Sequence, residues 1–161
     1  MEAALTGHLV LSTLHTNDAP SAVTRLIEMG IEPFLVGSSL DCVLAQRLTR
    51  RLCEWCKEPY APTAEELTAI RWPGDEADRP EKLWRQVGCR SCGQTGYRGR
   101  VAMNEVMPVS EEIEKLTVDR VSSREISRVA VAEGMVGLRI DGLAKAAVGQ
   151  TSVAEVLRVA M

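Results

Sequence analysis

Cys53 and Cys56 form one Cys-x-x-Cys pair, and Cys89 and Cys92 form a second. Structural zinc prefers four tetrahedral ligands. A Cys-x-x-Cys turn brings two sulfurs within ~2.3 Å of one ion while nearby main-chain N–H groups support the thiolates. Two such turns complete a shell. The 32 residues between Cys56 and Cys89 are easily closed, because loop-closure cost grows only as the logarithm of length. The spacing therefore predicts one structural zinc ion on Cys53, Cys56, Cys89 and Cys92. Four thiolates leave no open coordination position, so this metal would stabilise its subdomain and take no part in catalysis. A redox dithiol, buried unliganded thiols and an iron–sulfur cluster are the competing readings, although a redox motif needs no second copy. The fifth cysteine, Cys42, falls in an apolar stretch and is expected to pack as a small hydrophobe.

Two histidines, His8 and His15, bracket the apolar run Leu9–Leu14. His15 falls where a strand would open into a loop, the position at which ligand contacts concentrate in α/β proteins. A structural role is equally open. The cations Arg47, Arg50, Arg51 and Lys57, with Arg90, Arg98 and Arg100 near the second cysteine pair, would suit phosphate or an acidic partner. They fit a charge-balanced solvated face equally well.

The elements that must position these residues follow from periodicity. Leu9, Val10, Leu11 and Leu14 are expected to form a fully buried strand of the kind found in parallel sheets. Asn17 or Asp18 can cap a following helix, Pro20 is tolerated in its first turn, and Gly30 ends it after Ala22, Leu26 and Met29 recur at helical spacing. Pro33–Leu44 reads as a helix and Gln46–Leu52 as a strand. From Glu54 to Gly88 the prolines and acidic groups indicate a mostly irregular insertion, interrupted by one short helix whose capping box is Thr63 and Glu66. Arg100–Met107 alternates as a strand with Val101, Met103 and Glu105 on one side, after the turn glycines Gly96 and Gly99. Beyond Pro108 the chain reads as helices. Ser110 caps the first, Ser122 with Glu125 the next, Leu138–Val148 stops at Gly149, and Ser152 with Glu155 forms a capping box for the last.

Length and composition bound what these elements can do. With 161 residues, 45% of them hydrophobic, the chain can bury one principal core with a satellite subdomain. A formal net charge of −3 supplies no field that would recruit nucleic acid or anionic lipid, and aromatic residues at 4% are too few for base-stacking platforms. A zinc-ribbon nucleic-acid binder is thus disfavoured. No stretch reaches the ~18 to 20 apolar residues needed to cross a bilayer, and Met1–Thr6 lacks a basic leader pattern. Paired thiols in a chain this long point to metal in a reducing compartment, and a cytosolic location is expected.

The stretch from Leu5 to Ala19 (LTGHLVLSTLHTNDA) resembles the histidine box of the type II secretion and type IV pilus assembly ATPases. Further blocks fall in the same order: Arg25 to Gly30 (RLIEMG), Ala45 to Leu48 (AQRL), Arg51 to Cys53, Gly88 to Cys92, Thr95 to Arg100 (TGYRGR), and Gly149 to Ser152 followed by Glu155 and Val156. The resemblance implies an α/β fold. Residues 1–52 would be the C-terminal part of a RecA-like ATPase core, residues 53–99 a tetracysteine zinc-binding insertion typical of the assembly branch, and residues 100–161 a strand followed by a C-terminal helical bundle. It also implies that His15 senses the γ-phosphate with His8 in support. The intact motor would be a homo-hexamer that uses ATP and magnesium and works at the cytoplasmic face of the inner membrane, peripheral to it.

A Gly-x-x-x-x-Gly-Lys-Ser/Thr phosphate loop does not occur in the sequence, nor do the acidic boxes that precede the histidine box in that family. Without the loop's N–H groups and lysine the phosphates lack a cradle, so the chain is expected not to hydrolyse ATP by itself and to complete its site with upstream domains and neighbouring subunits. A truncation of a longer motor is the expected origin. The alternative function is a non-enzymatic zinc module that docks to the inner-membrane platform of the machine.

Overall fold

The structure, a computed structural model, describes residues 1–160. Helices α1 (Glu2–Leu5), α2 (Pro20–Glu28) and α3 (Pro33–Ser39) lead into strand β1 (Cys42–Leu52). The short strands β2 (Glu58–Tyr60) and β3 (Leu83–Arg85) flank helix α4 (Ala64–Ala69). Strand β4 (Tyr97–Pro108) is followed by α5 (Glu111–Val118), α6 (Ser123–Ala132), α7 (Leu138–Ala147) and α8 (Val153–Val159). The fold is therefore mixed helix and strand. β1 and β4 form one two-stranded sheet, and β2 and β3 form another. The chain divides into two compact units, each made from two segments: residues 1–46 with 104–137, and residues 47–103 with 138–161.

In the first unit α2, α3, α5 and α6 close around Val23, Val36, Met107, Ile113, Ile126 and Ala130. Local chemistry fixes their ends. The Asp18 carboxylate accepts the Ser21 N–H at 2.8 Å, and Pro20 occupies a first-turn position where its missing N–H costs nothing. Buried Glu105 on β4 accepts the Ala19 N–H at 2.7 Å, so a carboxylate meets the positive end of α2. Ser110 caps α5, and Ser122 with Glu125 forms a reciprocal capping box on α6.

The second unit packs α4, α7 and α8 with the β2–β3 pair. That pair is antiparallel, with Glu58 opposite Arg85, Pro59 opposite Trp84 and Tyr60 opposite Leu83. Leu83, Leu143 and Val156 are fully buried there, and the Arg139 guanidinium donates to the Ile70 carbonyl. Tyr60 donates its hydroxyl to Glu66 at 2.6 Å; burial first, then this bond, pushes the phenol up to about 12.

Several expectations are corrected. Leu9–Leu14 is not a strand: residues 8–16 are irregular, and Leu9 and Leu11 are 83% and 87% exposed. A strand needs a neighbour to satisfy its N–H and C=O groups, and among the described residues no strand pairs with this run. The helix expected over Pro33–Leu44 stops at Ser39, where Ser38 and Ser39 turn their hydroxyls back onto the Phe34 and Leu35 carbonyls and Leu40 is extended. Cys42 accordingly opens β1 and is exposed instead of packing in a helix. The insertion carries the β2–β3 pair as well as its capped helix α4. Of the helices after Pro108, α5 and α6 fall in the first unit and α7 and α8 in the second.

Candidate metal centre

The two Cys-x-x-Cys pairs lie at the ends of long strands. Cys53 follows β1, where Cys56 N–H and Lys57 N–H both donate to the Cys53 carbonyl, at 3.2 and 3.0 Å, and so close a tight turn. Cys89 begins a single 3₁₀ turn in which Cys92 N–H and Gln94 N–H return to the Cys89 carbonyl, and the chain then enters β4. Cys53 N–H donates to the Gly96 carbonyl at 2.9 Å, which ties one turn to the other.

All four sulfurs lie within 4.8 Å of one another, and among the described residues they form the one cluster able to hold a metal ion. Three sulfur pairs are 3.9 Å (Cys53 and Cys89), 3.8 Å (Cys56 and Cys92) and 3.7 Å (Cys89 and Cys92) apart. These separations are far beyond the ~2.05 Å of a disulfide. Main-chain donors point at the sulfurs: Gly88 N–H at Cys56, and Cys89 and Gly96 N–H at Cys92, the last two at 3.1 and 3.2 Å. Burial works against the Cys92 thiolate, but these N–H groups together with the neighbouring Cys89 and Cys56 thiols outweigh it and bring the thiol down to about 6; burial pushes Cys56 up to about 11. Gly96 is required where it is. Its φ is +74°, and a Cβ there would lie 3.1 Å from the Gln86 Cα and the Val87 N, so a larger residue would push the donor away from Cys92.

Contacts between distant parts of the chain, which the sequence did not announce, support the cysteine turns. Leu52 N–H donates to the Gln150 carbonyl at 3.0 Å, and Lys57 Nζ reaches the Gly149 carbonyl at 3.0 Å and Glu54 at 2.6 Å. The same ammonium sits 4.9 Å from the Trp84 ring. Next to them Glu155, 1% exposed, accepts from Thr49, from the Arg50 N–H and guanidinium, and from Arg158 through two nitrogens at 2.9 and 2.8 Å. Burial would raise the Glu155 carboxyl, but the Arg158 and Arg50 guanidiniums hold it well below the usual carboxylate range. Arg50 also stacks 4.2 Å over Tyr97, whose hydroxyl meets the Ser152 hydroxyl at 2.8 Å. Ser152 caps α8 through the Glu155 N–H, but the Glu155 carboxylate turns to the arginines, so the expected reciprocal capping box is only half formed. The available signal was a lone acidic residue within the apolar stretch Val153–Val159.

Neither histidine belongs to the four-sulfur cluster. His8 Nδ1 lies 3.0 Å from the Thr6 hydroxyl, and His15 is exposed in the irregular stretch before α2. The basic cluster is partly neutralised: Arg50 pairs with Glu155, Arg51 and Lys57 with Glu54, while Arg98 donates to the Ser91 hydroxyl.

The pattern of the type II/IV secretion system protein family matches residues 1–158. The chain belongs to that family. It is 49% identical, over 98% of its length, to the type IV pilus assembly ATPase PilB of Myxococcus xanthus, and covers 28% of that protein. It is also 49% identical to PilB of Thermus thermophilus over 97% of this chain and 17% of that one. The type II secretion system protein E of Aeromonas hydrophila is 45% identical over 99% of this chain and 31% of its own. The secretion-family chain described here thus spans less than a third of the length of these curated relatives. Within this family segment no helix among the described residues is long and apolar enough to cross a membrane.

Proposed function

We propose that this chain is the C-terminal portion of a hexameric motor ATPase that powers type IV pilus assembly or type II protein secretion. In this reading Cys53, Cys56, Cys89 and Cys92 hold a structural zinc ion. The observation that carries it is the family match across residues 1–158, together with the four-sulfur cluster inside that match. Zinc suits the cluster because a tetrahedron with ~2.3 Å metal–sulfur bonds has edges of about 3.8 Å, and the three short sulfur pairs run from 3.7 to 3.9 Å. The N–H donors to Cys56 and Cys92 supply the outer support that thiolate ligands need.

The nucleotide belongs to the longer protein. His15 detects the γ-phosphate with His8 in support, residues 1–52 complete a RecA-like core with upstream domains, residues 53–99 serve as the zinc subdomain, and the helices after residue 100 pass motion to neighbouring subunits. The motor works at the cytoplasmic face of the inner membrane. Lacking a phosphate loop, this chain does not hydrolyse ATP by itself. The test is His15→Ala in the full-length motor: turnover should fall by about a hundredfold or more, the scale on which removing one group that stabilises transition-state charge acts, with zinc content unchanged. Full turnover in that variant would refute the role of His15.

The second reading is a zinc module that docks to the inner-membrane platform. The observation that favours it is Trp55, 79% exposed between two of the cysteines. Tryptophan is among the residue types most enriched at the energetic centres of protein interfaces.

A further inference from the structure

The chain as a whole is acidic, but the segments that carry the cysteines are not. From Leu83 to Asn104 there are four arginines, Arg85, Arg90, Arg98 and Arg100, and no aspartate or glutamate. From Arg47 to Lys57 there are four cations against Glu54. Ion pairs account for part of this charge: Glu155 takes Arg50, Glu54 takes Arg51 and Lys57, and Glu58 takes Arg85. Arg90, Arg98 and Arg100 are exposed, and among the described residues no ion pair joins them to a carboxylate. Four thiolates around a divalent ion add about two negative charges, which does not cancel the excess on these segments.

These three arginines have a fixed framework. Arg90 lies on the 3₁₀ turn between Cys89 and Cys92, and Arg98 reaches back to that turn by donating to the Ser91 hydroxyl at 3.0 Å. Arg100 lies two residues further along β4, past Gly99, whose φ of +78° bends the strand between the two arginines. On the opposing cysteine turn, Trp55 directly precedes Cys56, whose sulfur accepts the Gly88 N–H at 3.4 Å next to exposed Val87. The sulfurs of the two turns lie within 4.8 Å of one another, so both turn tips surround one point. A large exposed aromatic side chain and exposed arginines thus flank the same pair of cysteine turns.

We propose that this face docks an acidic protein segment, with Trp55 as the apolar anchor and Arg90, Arg98 and Arg100 as carboxylate receptors. The proposal rests on the reading of the cysteines as a metal site, since the ion is what would hold the two tips together. Protein is the occupant that fits. The cations are arginines, whose forked donors match carboxylates two bonds at a time and which are enriched with tryptophan at protein interfaces. Lipid surfaces are served equally well by lysines acting as point charges, and single strands of nucleic acid need a succession of exposed aromatic platforms, whereas among the described residues of these segments Trp55 is the one aromatic that is largely exposed.

The test is an array of peptides in which the number of aspartates and glutamates varies around one leucine or phenylalanine, probed with the zinc-loaded chain. Phosphatidylglycerol vesicles and oligothymidylate are measured alongside. Binding should strengthen with carboxylate count and weaken at least about tenfold in Trp55→Ala, the scale of an aromatic hot spot. The combined variant Arg90→Glu, Arg98→Glu, Arg100→Glu should reverse the preference and select lysine- and arginine-rich peptides. Milder Arg98→Gln covers the case in which that triple variant does not fold, and it should weaken the acidic peptides with its zinc intact. Zinc stoichiometry of every sample separates a failed metal site from a failed docking face. Zinc-loaded chain that ignores carboxylate count, keeps its binding in Trp55→Ala, or binds vesicles or oligothymidylate more tightly than any peptide overturns the proposal.

Discussion

Glu155 shows how much one buried carboxylate can organise. Three bonds from β1 reach α8 through it, from the Thr49 hydroxyl and from the main chain and guanidinium of Arg50, and Arg158 of α8 completes the set. A buried charge with this many donors is stable as a set, and removing its charge leaves the donors mismatched. Glu155→Gln should therefore lower stability at neutral pH by about 2 kcal/mol, the scale of hydrogen bonds to a charged group. The pH dependence has a definite sign. The folded carboxyl sits below its ordinary value of 4.5, so its contribution is fully present above that value and is lost as pH falls through the folded one. Urea unfolding of both chains should show a gap at pH 7 that narrows once the pH drops below 4.5. Release of metal in acid affects both chains alike, so the difference between them isolates Glu155. A gap that widened in acid would contradict this account.

At the scale of elements, short-range chemistry sets most boundaries. Ser122 and Glu125 satisfy one another's main-chain donors at the start of α6, and Ser122→Ala should cost about 1 kcal/mol in denaturant unfolding. Gly149 is more demanding. Its φ is +73°, and a Cβ would lie 2.8 Å from Trp84 Cδ1, against the ring that Lys57 covers. Gly149→Ala should cost more than about 1 kcal/mol, the usual penalty where φ is positive, because the tryptophan must also move. A melting temperature equal to that of the parent chain would contradict this packing. Caps and turn glycines such as these were legible in the sequence, because each depends on a residue and its near neighbours. The helix expected over Pro33–Leu44 failed for the opposite reason. Its apolar residues fit both periods, and the choice was made by Ser38 and Ser39 turning back on the helix and by β4 waiting to pair with β1. Leu9–Leu14 has the composition of a buried strand but no neighbour among the described residues. Strands β2 and β3, three residues each, are too short to leave a periodic signal.

For the whole molecule, the cysteines were readable because a four-thiolate shell needs two Cys-x-x-Cys turns and little else. The supports of that shell were not, because Leu52, Lys57 and Glu155 meet partners about a hundred residues away in the chain, where local pattern says nothing. Those long-range ties hold the turns of Cys53 and Cys89 in the second unit, whose segments are residues 47–103 and 138–161. On this view the ion and the Glu155 cluster stabilise one and the same unit. The most direct test is the metal content of freshly purified, reduced protein by mass spectrometry of the elements. The account predicts one zinc per chain, lost in Cys89→Ser and in Cys92→Ser. Protein that is folded and free of zinc, or that carries iron in its place, would contradict it.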